Sequence, residues 1–345
     1  MYRWLIVLLF LAACGQPVEP VTETDANGSE DLASLSEIED SEPEETAPLA
    51  ETADLTSPST ADLLPSEFEW IWQPWTGDYD AIVERRVLRV LTPYGGYQFY
   101  YDNGRPRGAT WEMLVRLESW INEQHNLKNV RVYVVPIPVS RDQLIPGLLA
   151  GEGDLIATDL TITPERESLV SFTRPLLANI NEVIVLGPTA PDVGTLEDLA
   201  GLDIFVRPTS SYAEHLQTLG DKFLGQQLEP PKILPADELL EAEDLLDLMQ
   251  AGVAGITIMD DYKAEFWSSV MDDIDVRSDL IVREGGAVAW AHRKEDEKLA
   301  TVLEQFLRKY GKGSAFGNDV YKRYLKRPDR VRCSTSQENS ARILP

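Results

Sequence analysis

Cysteine and histidine are scarce in this 345-residue chain, which has two cysteines and three histidines. Cys14 and Cys333 are too few for a disulfide-rich scaffold. His125, His215 and His292 are scattered without the spacing of a metal site. The sequence also contains no glycine-rich phosphate loop and no nucleophile elbow. We therefore expect neither a metal nor a cofactor.

Basic residues are also few, with 31 Lys and Arg against 58 Asp and Glu and a net charge of -27. No Lys or Arg lies between Arg3 and Arg85, while residues 15–84 carry 19 acidic residues. Residues 15–67 contain few large apolar side chains, so they cannot bury enough surface to fold and are predicted to form an acidic, disordered tether. The rest of the chain is only mildly acidic, which disfavours a nucleic-acid partner.

Long apolar runs are missing as well. The run in MYRWLIVLLFLAAC spans only about ten residues, too short for a transmembrane helix, so residues 1–14 are interpreted as a secretory signal. Its last four residues, Leu-Ala-Ala-Cys, resemble a bacterial lipoprotein box, which implies a lipid on Cys14 and a mature chain anchored to a membrane in the periplasm. Gly15 is the type of residue that permits transfer to the outer membrane in such lipoproteins. The alternative is an ordinary signal with an incidental cysteine.

Three tryptophans, Trp70, Trp72 and Trp75, mark an aromatic N-terminal arm at 68–84. We expect this arm to pack against the folded part, although contact with a membrane or a partner is the alternative. A C-terminal tail is predicted at 327–345.

Between the arm and the tail, strand and helix patterns alternate, which predicts a parallel α/β fold. Two crossing segments, Asn181–Leu186 and Leu280–Trp290, predict two lobes with the second inserted into the first. The first lobe is expected at 85–180 plus 282–326, and the second at 181–281. The predicted strands are Arg86–Leu91, Val130–Val135, Leu155–Ala157, Ile204–Val206, Lys232–Leu234 and Ile256–Ile258, and the predicted helices include Arg141–Ala150 and Glu238–Gln250.

The stretch GEGDLIATDLTITPER is the first half of a predicted ligand site. Thr163 is expected to cap a helix that has Pro164 at its first position, so that Thr161, Thr163 and Arg166 surround one point. A helix N-terminus and a guanidinium can together hold a carboxylate. The alternative is a capped helix whose arginine pairs with a surface acid.

The second half of the site is expected at the strand ends of the other lobe, because ligands of α/β proteins collect there. Thr209 and Ser210 offer hydroxyl groups, and Asp260 offers a carboxylate suited to an ammonium group. Tyr97 is a candidate to cover the apolar part of the ligand. Together these residues predict a zwitterionic ligand such as an amino acid or a short peptide. Taken alone, Asp260 and Asp261 are equally compatible with helix N-terminal acids.

Three segments resemble the family 3 periplasmic solute-binding proteins: GEGDLIATDLTITPERESLVSFTRPL, TLEDLAGLDIFVRPTSSYAEHL and MQAGVAGITIMDDYKAEF. The resemblance implies a type 2 periplasmic binding fold. It also implies that Arg166 binds the ligand carboxylate, that the loop with Thr209 and Ser210 assists, and that Asp260 receives the amine.

Other segments, among them ERRVLRVLTPYGG, PVSRDQLIPGLLAGEGD and REGGAVAWAHRK, resemble the amino-terminal module of the membrane-bound lytic transglycosylases F. In that group a catalytic glutamate follows in a further domain. Here the sequence after Ser336 reads QENSARILP and matches no such glutamate. We therefore expect a lipid-anchored binding module for an amino acid, a short peptide or a muropeptide, and no transglycosylase activity from these residues.

Two alternatives remain at this stage. One is a dehydratase on the same scaffold, acting on cyclohexadienyl acids with Asp260 and Glu265 as its acids. The other is a protein with a vestigial cleft whose tether and tryptophans recruit a separate cell-wall hydrolase.

Overall fold

A computed structural model describes residues 70–326. The predicted leader with Cys14, the acidic tether at 15–67 and the tail at 327–345 lie outside the described residues. Within residues 70–326, none of the helices has the length and apolar character needed to cross a membrane.

Strands and helices alternate along most of the described chain. The strands are β1 (Val87–Thr92), β2 (Tyr100–Asp102), β3 (Arg105–Arg107), β4 (Tyr133–Pro138), β5 (Leu155–Thr161), β6 (Ser171–Phe172), β7 (Leu177–Leu186), β8 (Asp203–Val206), β9 (Lys232–Pro235), β10 (Ile256–Asp260) and β11 (Asp275–His292). The helices are α1 (Tyr79–Arg85), α2 (Ala109–Gln124), α3 (Leu144–Leu149), α4 (Pro164–Leu169), α5 (Ser211–Gly225), α6 (Ala242–Gln250), α7 (Asp261–Ser268), α8 (Glu297–Tyr310) and α9 (Ala315–Leu325), with 3₁₀ turns at Arg141–Gln143 and Leu196–Leu199.

The main sheet has the strand order β10-β7-β11-β5-β1-β4. β1 is parallel to both β4 and β5, whereas β11 is antiparallel to β5 and β7, and β10 is antiparallel to β7. β8 and β9 form a separate parallel pair. The long strands β7 and β11 therefore link the two ends of the sheet, and they are the two crossing segments that the sequence predicted, each longer than expected.

Two sets of buried side chains surround this sheet. One set, from residues 79–172 and 290–307, forms the core of a first lobe around β1, β4 and β5. The other, from residues 183–282, forms the core of a second lobe around β8 and β10. The structure confirms the predicted two-lobed α/β fold, in which the second lobe is inserted into the first.

Strand β4 runs from Tyr133 to Pro138, later than the predicted Val130–Val135. The strand extends through Pro136 to Pro138 because β4 lies at the edge of the sheet, where a missing backbone N–H is tolerated. Ahead of the strand, the side-chain amide of Asn122 bonds both the N–H and the carbonyl of Val132, at 2.9 and 2.8 Å.

Two predicted helices begin later than expected. Residues 141–143 form a 3₁₀ turn, and the α-helix starts only at Leu144. Ser140 and Gln143 have the residue types of a capping box, but that prediction is wrong because Ser140 makes no side-chain cap there. In the second lobe α6 starts at Ala242, where Glu241 and Asp244 form a capping box, and not at Glu238.

The aromatic arm is held against the first lobe by Arg89, a fully buried residue of β1. Its guanidinium donates to the carbonyl oxygens of Gln73 and Trp75, at 3.0 and 2.9 Å. The Trp75 ring lies 4.0 Å from the guanidinium carbon of Arg85. Trp75 packs against the first core, while Trp70 and Trp72 remain 39% and 40% exposed. Trp75 therefore packs against the folded part, as expected for the arm.

Candidate functional site

The centre of the candidate site is the end of β5. This strand was predicted to end at Ala157, but it continues to Thr161 and all seven of its residues are buried. Asp159 is therefore an acidic residue inside a buried strand. Because the carboxyl end of β5 faces the second lobe, this strand presents polar groups between the lobes.

Arg166 extends from the first turn of α4 toward the second lobe. Its Nη1 donates to the carbonyl oxygen of Thr161 at 3.0 Å, and its Nη2 donates to the carbonyl oxygen of Thr209 at 3.2 Å. Glu214 lies 3.5 Å from Nη2. Burial lowers the pKa of Arg166, with Glu214 acting in the opposite direction. The guanidinium therefore lies between the lobes, and its paired acid is only partly buried.

The predicted hydroxyl groups serve mainly to build the backbone around this arginine. Thr163 caps α4 by accepting a hydrogen bond from the Arg166 N–H at 3.4 Å, and Ser210 caps α5 by accepting from the Ala213 N–H at 3.3 Å. Thr209 Oγ1 donates to Glu238 at 2.7 Å. Only Thr161, Thr209 and Ser210 of the predicted hydroxyl residues line the small cavity beside Arg166.

Asp260 is buried at the end of β10 and is already paired. Lys263, one helical turn later on α7, places its Nζ 3.0 Å from Asp260 Oδ2 and 2.6 Å from Asp159 Oδ2. The backbone N–H of Asp260 donates to the hydroxyl of Tyr212 at 3.2 Å. Asp260 does not line the described cavities between the lobes, whereas Lys263 lines two of them.

Further charged pairs cross from one lobe to the other. Arg141 donates to both carboxylate oxygens of Glu241, at 2.7 and 2.8 Å, and also to Asp159 Oδ1 at 3.0 Å. Ser211 Oγ donates to Thr161 Oγ1 at 3.2 Å. The lobes are therefore in contact across the cleft through at least three polar connections, including the one made by Lys263.

Two small cavities remain between the lobes. The one beside Arg166 measures about 40 Å³ and is also lined by Arg141 and Arg207. The other measures about 20 Å³ and is lined by Tyr97, Glu241 and Glu243. One buried water needs roughly 10–15 Å³. An amino acid can therefore enter only if the lobes separate.

Tyr97 lines the smaller of these two cavities and also a larger apolar one. Its hydroxyl donates to Asp159 Oδ2 at 2.8 Å, and the Tyr262 hydroxyl donates to the same oxygen at 3.0 Å. Behind Tyr97 and Asp159, a cavity of about 100 Å³ is lined mainly by apolar side chains, including Met113 and Trp290. That space is suited to an apolar group of a ligand held at the end of β5.

Sequence reasoning missed several charged residues of the cleft, namely Arg141, Asp159, Arg207, Glu241 and Lys263. Two of them carried a local signal. Arg207 directly follows β8. Lys263 follows Asp260 by three residues, which places the side chains of Asp260 and Lys263 on one face of a helix. Arg141 and Glu241 gave no such signal, because their pairing depends on how the lobes meet.

The residues proposed for other chemistry lie elsewhere. The side chain of Glu265 is 71% exposed and pairs with Lys326 at 3.1 Å. His125, His215 and His292 bond Tyr79, Glu182 and the carbonyl of Arg293, respectively. Among residues 70–326, no group of three or more His, Cys, Asp or Glu side chains is placed to hold a metal ion.

The cleft and its fold agree with the comparisons to known proteins. The family model for bacterial extracellular solute-binding proteins, family 3, matches residues 88–326. The chain belongs to this family. Among curated relatives, it is 27% identical over 242 residues to a membrane-bound lytic murein transglycosylase F of Desulfosudis oleivorans, covering 70% of this chain and 49% of that protein. A transglycosylase F of Idiomarina loihiensis is 26% identical over 228 residues, covering 66% and 47%.

The chain thus spans about half the length of the curated relatives it matches. Among solved structures, it is similar to an ancestral amino acid-binding protein described as a precursor of cyclohexadienyl dehydratase, with a TM-score of 0.56 and 22% identity over 71% of this chain and 98% of that one. It also resembles a binding component of an ABC transporter from Wolinella succinogenes complexed with lysine, with a TM-score of 0.54 and 22% identity over 70% and 96% of the two chains. At 22% identity, the likeness to these two structures shows a shared fold.

Proposed function

We propose that residues 70–326 form a solute-binding module whose lobes close on a small ligand with a carboxylate group. The candidates are an amino acid, a short peptide and a muropeptide. The observation that carries this proposal is the convergence of three guanidinium groups, those of Arg141, Arg166 and Arg207, on one cavity between the lobes. Guanidinium groups bind carboxylates through paired, charge-assisted hydrogen bonds.

The contacts that join the lobes support closure by a hinge motion about β7 and β11. In this conformation Arg166 donates to the backbone carbonyl oxygens of Thr161 in the first lobe and Thr209 in the second. A ligand carboxylate that enters the opened cleft would replace at least one of these weak acceptors with a charged one. Each charge-assisted hydrogen bond contributes roughly 1.5–3 kcal/mol, so two or three are enough for micromolar affinity.

Binding is favoured over catalysis because three acids of the cleft, Asp159, Asp260 and Glu241, are held in ion pairs. Asp159 and Asp260 bond Lys263, and Glu241 bonds Arg141. Glu265, the other acid considered for a dehydratase, points to solvent. We further propose that the protein works in the periplasm, anchored through a lipid on Cys14 and reaching its ligand by the acidic tether. We include a cell-wall peptide as ligand and a cell-wall hydrolase as partner in this proposal, because the chain is similar to lytic murein transglycosylases F over about half of their length.

A thermal-shift screen of the full chain with L-amino acids, dipeptides and muropeptides tests the binding proposal. A ligand that binds only the folded state raises the melting temperature, and we expect Arg166→Gln to abolish this rise. Arg174→Gln is the matched control, because the Arg174 side chain is 45% exposed and lies 3.9 Å from Glu304, its acidic partner among the described residues. The proposal fails if no compound stabilises the wild type, or if the stabilisation survives in Arg166→Gln.

A further inference from the structure

Lys263 occupies the most acidic point of the cleft. It lies on the first turn of α7, and its Nζ bridges the carboxylates of Asp159 in the first lobe and Asp260 in the second. The Lys263 side chain is only 9% exposed. The protein itself therefore supplies an ammonium group between the two buried acids.

Asp159 has no capacity left for a further cation. Its Oδ2 accepts from Tyr97, Tyr262 and Lys263, and its Oδ1 accepts from Arg141 and from the Thr158 hydroxyl at 3.0 Å. A carboxylate offers about four lone-pair sites. Burial opposes ionisation of Asp159, but Lys263 and Arg141 together hold its pKa well below the ordinary range.

Asp260 is closed to a ligand in a different way. It is 1% exposed, and the Nζ of Lys263 already lies 3.0 Å from its Oδ2. Lys263 is joined to Asp260 through one turn of helix, so it is present at a high effective concentration. A dissolved amine competes poorly with such a neighbour.

The opposite charge is in surplus on the other side of the cleft. Arg207 is buried, and its Nε has no hydrogen-bond partner among the described residues. Its nearest carboxylate, Glu241, lies 3.9 Å away and is shared with Arg141. Burial lowers the pKa of Arg207, and the charge of Arg141 lowers it further. The carboxylates nearest to Arg207 and Arg166 thus lie 3.9 and 3.5 Å away, whereas Asp260 has a cation at 3.0 Å.

We propose that this cleft selects carboxylate ligands without a free ammonium group beside the carboxylate, such as N-acylated amino acids, because Lys263 takes the place of that ammonium. The inference rests on the proposed function, which requires only that a small carboxylate ligand binds. It narrows the ligand class and assigns Lys263 as the residue that determines this specificity.

Matched ligand pairs test the inference on the wild-type full chain. N-acetyl-L-alanine is compared with L-alanine, and N-acetyl-L-glutamate with L-glutamate, by calorimetry and thermal shift. We expect the free amino acid to bind about 10- to 100-fold more weakly in each pair, because its ammonium group would be buried without a hydrogen-bond acceptor, whereas the N-acetyl amide carries no charge. Equal or tighter binding of the free amino acids overturns the inference and leaves the proposed function intact. If none of these four compounds binds, but another α-amino acid with its ammonium group beside its carboxylate does, the inference also fails.

A substitution at Lys263 supplies the reciprocal test. Lys263→Ala removes the cation beside Asp260 and one of the two cations beside Asp159, and it creates space for an amine. We expect this variant to be less stable than the wild type. L-alanine and ethylammonium should raise its melting temperature, although neither raises that of the wild type. Lys222→Ala, which removes an exposed lysine of α5, is the control and should behave as the wild type does. If Lys263→Ala folds and neither amine raises its melting temperature, the inference is overturned. If it does not fold, the same measurement on Lys263→Met and the wild-type ligand pairs test the inference instead. Failure of every carboxylate compound to bind any variant would instead reject the proposed function together with this inference.

Discussion

Replacing Arg89 with methionine should cost the protein a large part of its stability and release the aromatic arm. Arg89 is fully buried and forms an ion pair with Asp154 at 2.9 Å. Its Nη2 also donates to the carbonyl oxygens of Trp75 and Gly151, at 2.9 and 2.8 Å, and its Nη1 to that of Gln73 at 3.0 Å. Methionine keeps much of the side-chain volume but donates no hydrogen bond.

The magnitude follows from what the substitution leaves behind. Removing one partner of a buried ion pair costs about 3–5 kcal/mol. The remaining neighbours of Asp154 are Arg85 at 3.3 Å and Arg293 at 3.8 Å, which favour the lower half of that range. At roughly 2–4 °C per kcal/mol for a domain of this size, the melting temperature should fall by about 6–16 °C.

Thermal and urea unfolding measure the loss of stability, and limited chymotrypsin digestion measures release of the arm at Trp72. The control is Arg308→Met, because the Arg308 side chain is 75% exposed and bonds only Glu304 among the contacts that the structure records. Such an exposed pair contributes about 0–1 kcal/mol. If Arg89→Met and Arg308→Met unfold at the same temperature, or if cleavage at Trp72 is not faster in Arg89→Met, the assignment of Arg89 as the anchor of the arm is wrong.

Three further changes test the fold and the cleft. Burial and the neighbouring Glu241 raise the pKa of Glu243 to about 8 from its ordinary value of 4.5. Between these two pH values the folded state retains a proton that the unfolded state has lost, so the free energy of unfolding should fall as the pH rises from about 4.5 to 8. Between pH 6 and 8, the urea midpoint of Glu243→Gln should therefore fall less than that of the wild type. Phe306→Ala should destabilise the first lobe by about 3–5 kcal/mol in urea unfolding, because Phe306 is fully buried and stacks on Trp290 at 6.2 Å; a loss below about 1 kcal/mol would contradict the core described here. Gly108→Ala should cost more than about 1 kcal/mol, since Gly108 has a φ of 120° and a Cβ there would collide with the carbonyl of Gln98; an unchanged melting temperature would show that this turn relaxes freely.

The architecture could be predicted from sequence because it depends on local patterns. Short apolar strands, capped helices and two crossing segments are each visible within a few residues, and the cap of α4 by Thr163 is an example. The errors arose where a neighbour decides the outcome. The prolines of β4 are tolerated only because that strand forms an edge, and the arm is anchored only because Arg89 lies below it.

The site was predictable in its location but not in its charge pairing. Arg166, Thr161 and Thr209 do meet between the lobes, as their positions at strand ends suggested. The partner of Asp260 was not foreseen, although Lys263 stands three residues away, since the same spacing occurs in many solvent-exposed helices. The pairing of Arg141 with Glu241 joins residues one hundred positions apart and depends on contact between the lobes. Such long-range charge compensation has no signature in a single sequence.

A structure of the full chain with N-acetyl-L-alanine tests the central claim most directly, namely that the guanidinium groups of the cleft hold a carboxylate. We predict the ligand carboxylate within hydrogen-bond distance of Arg166 and Arg207, with Lys263 still bridging Asp159 and Asp260. A ligand bound elsewhere, or a saturated complex in which Arg166 still donates only to Thr161 and Thr209, would contradict the claim.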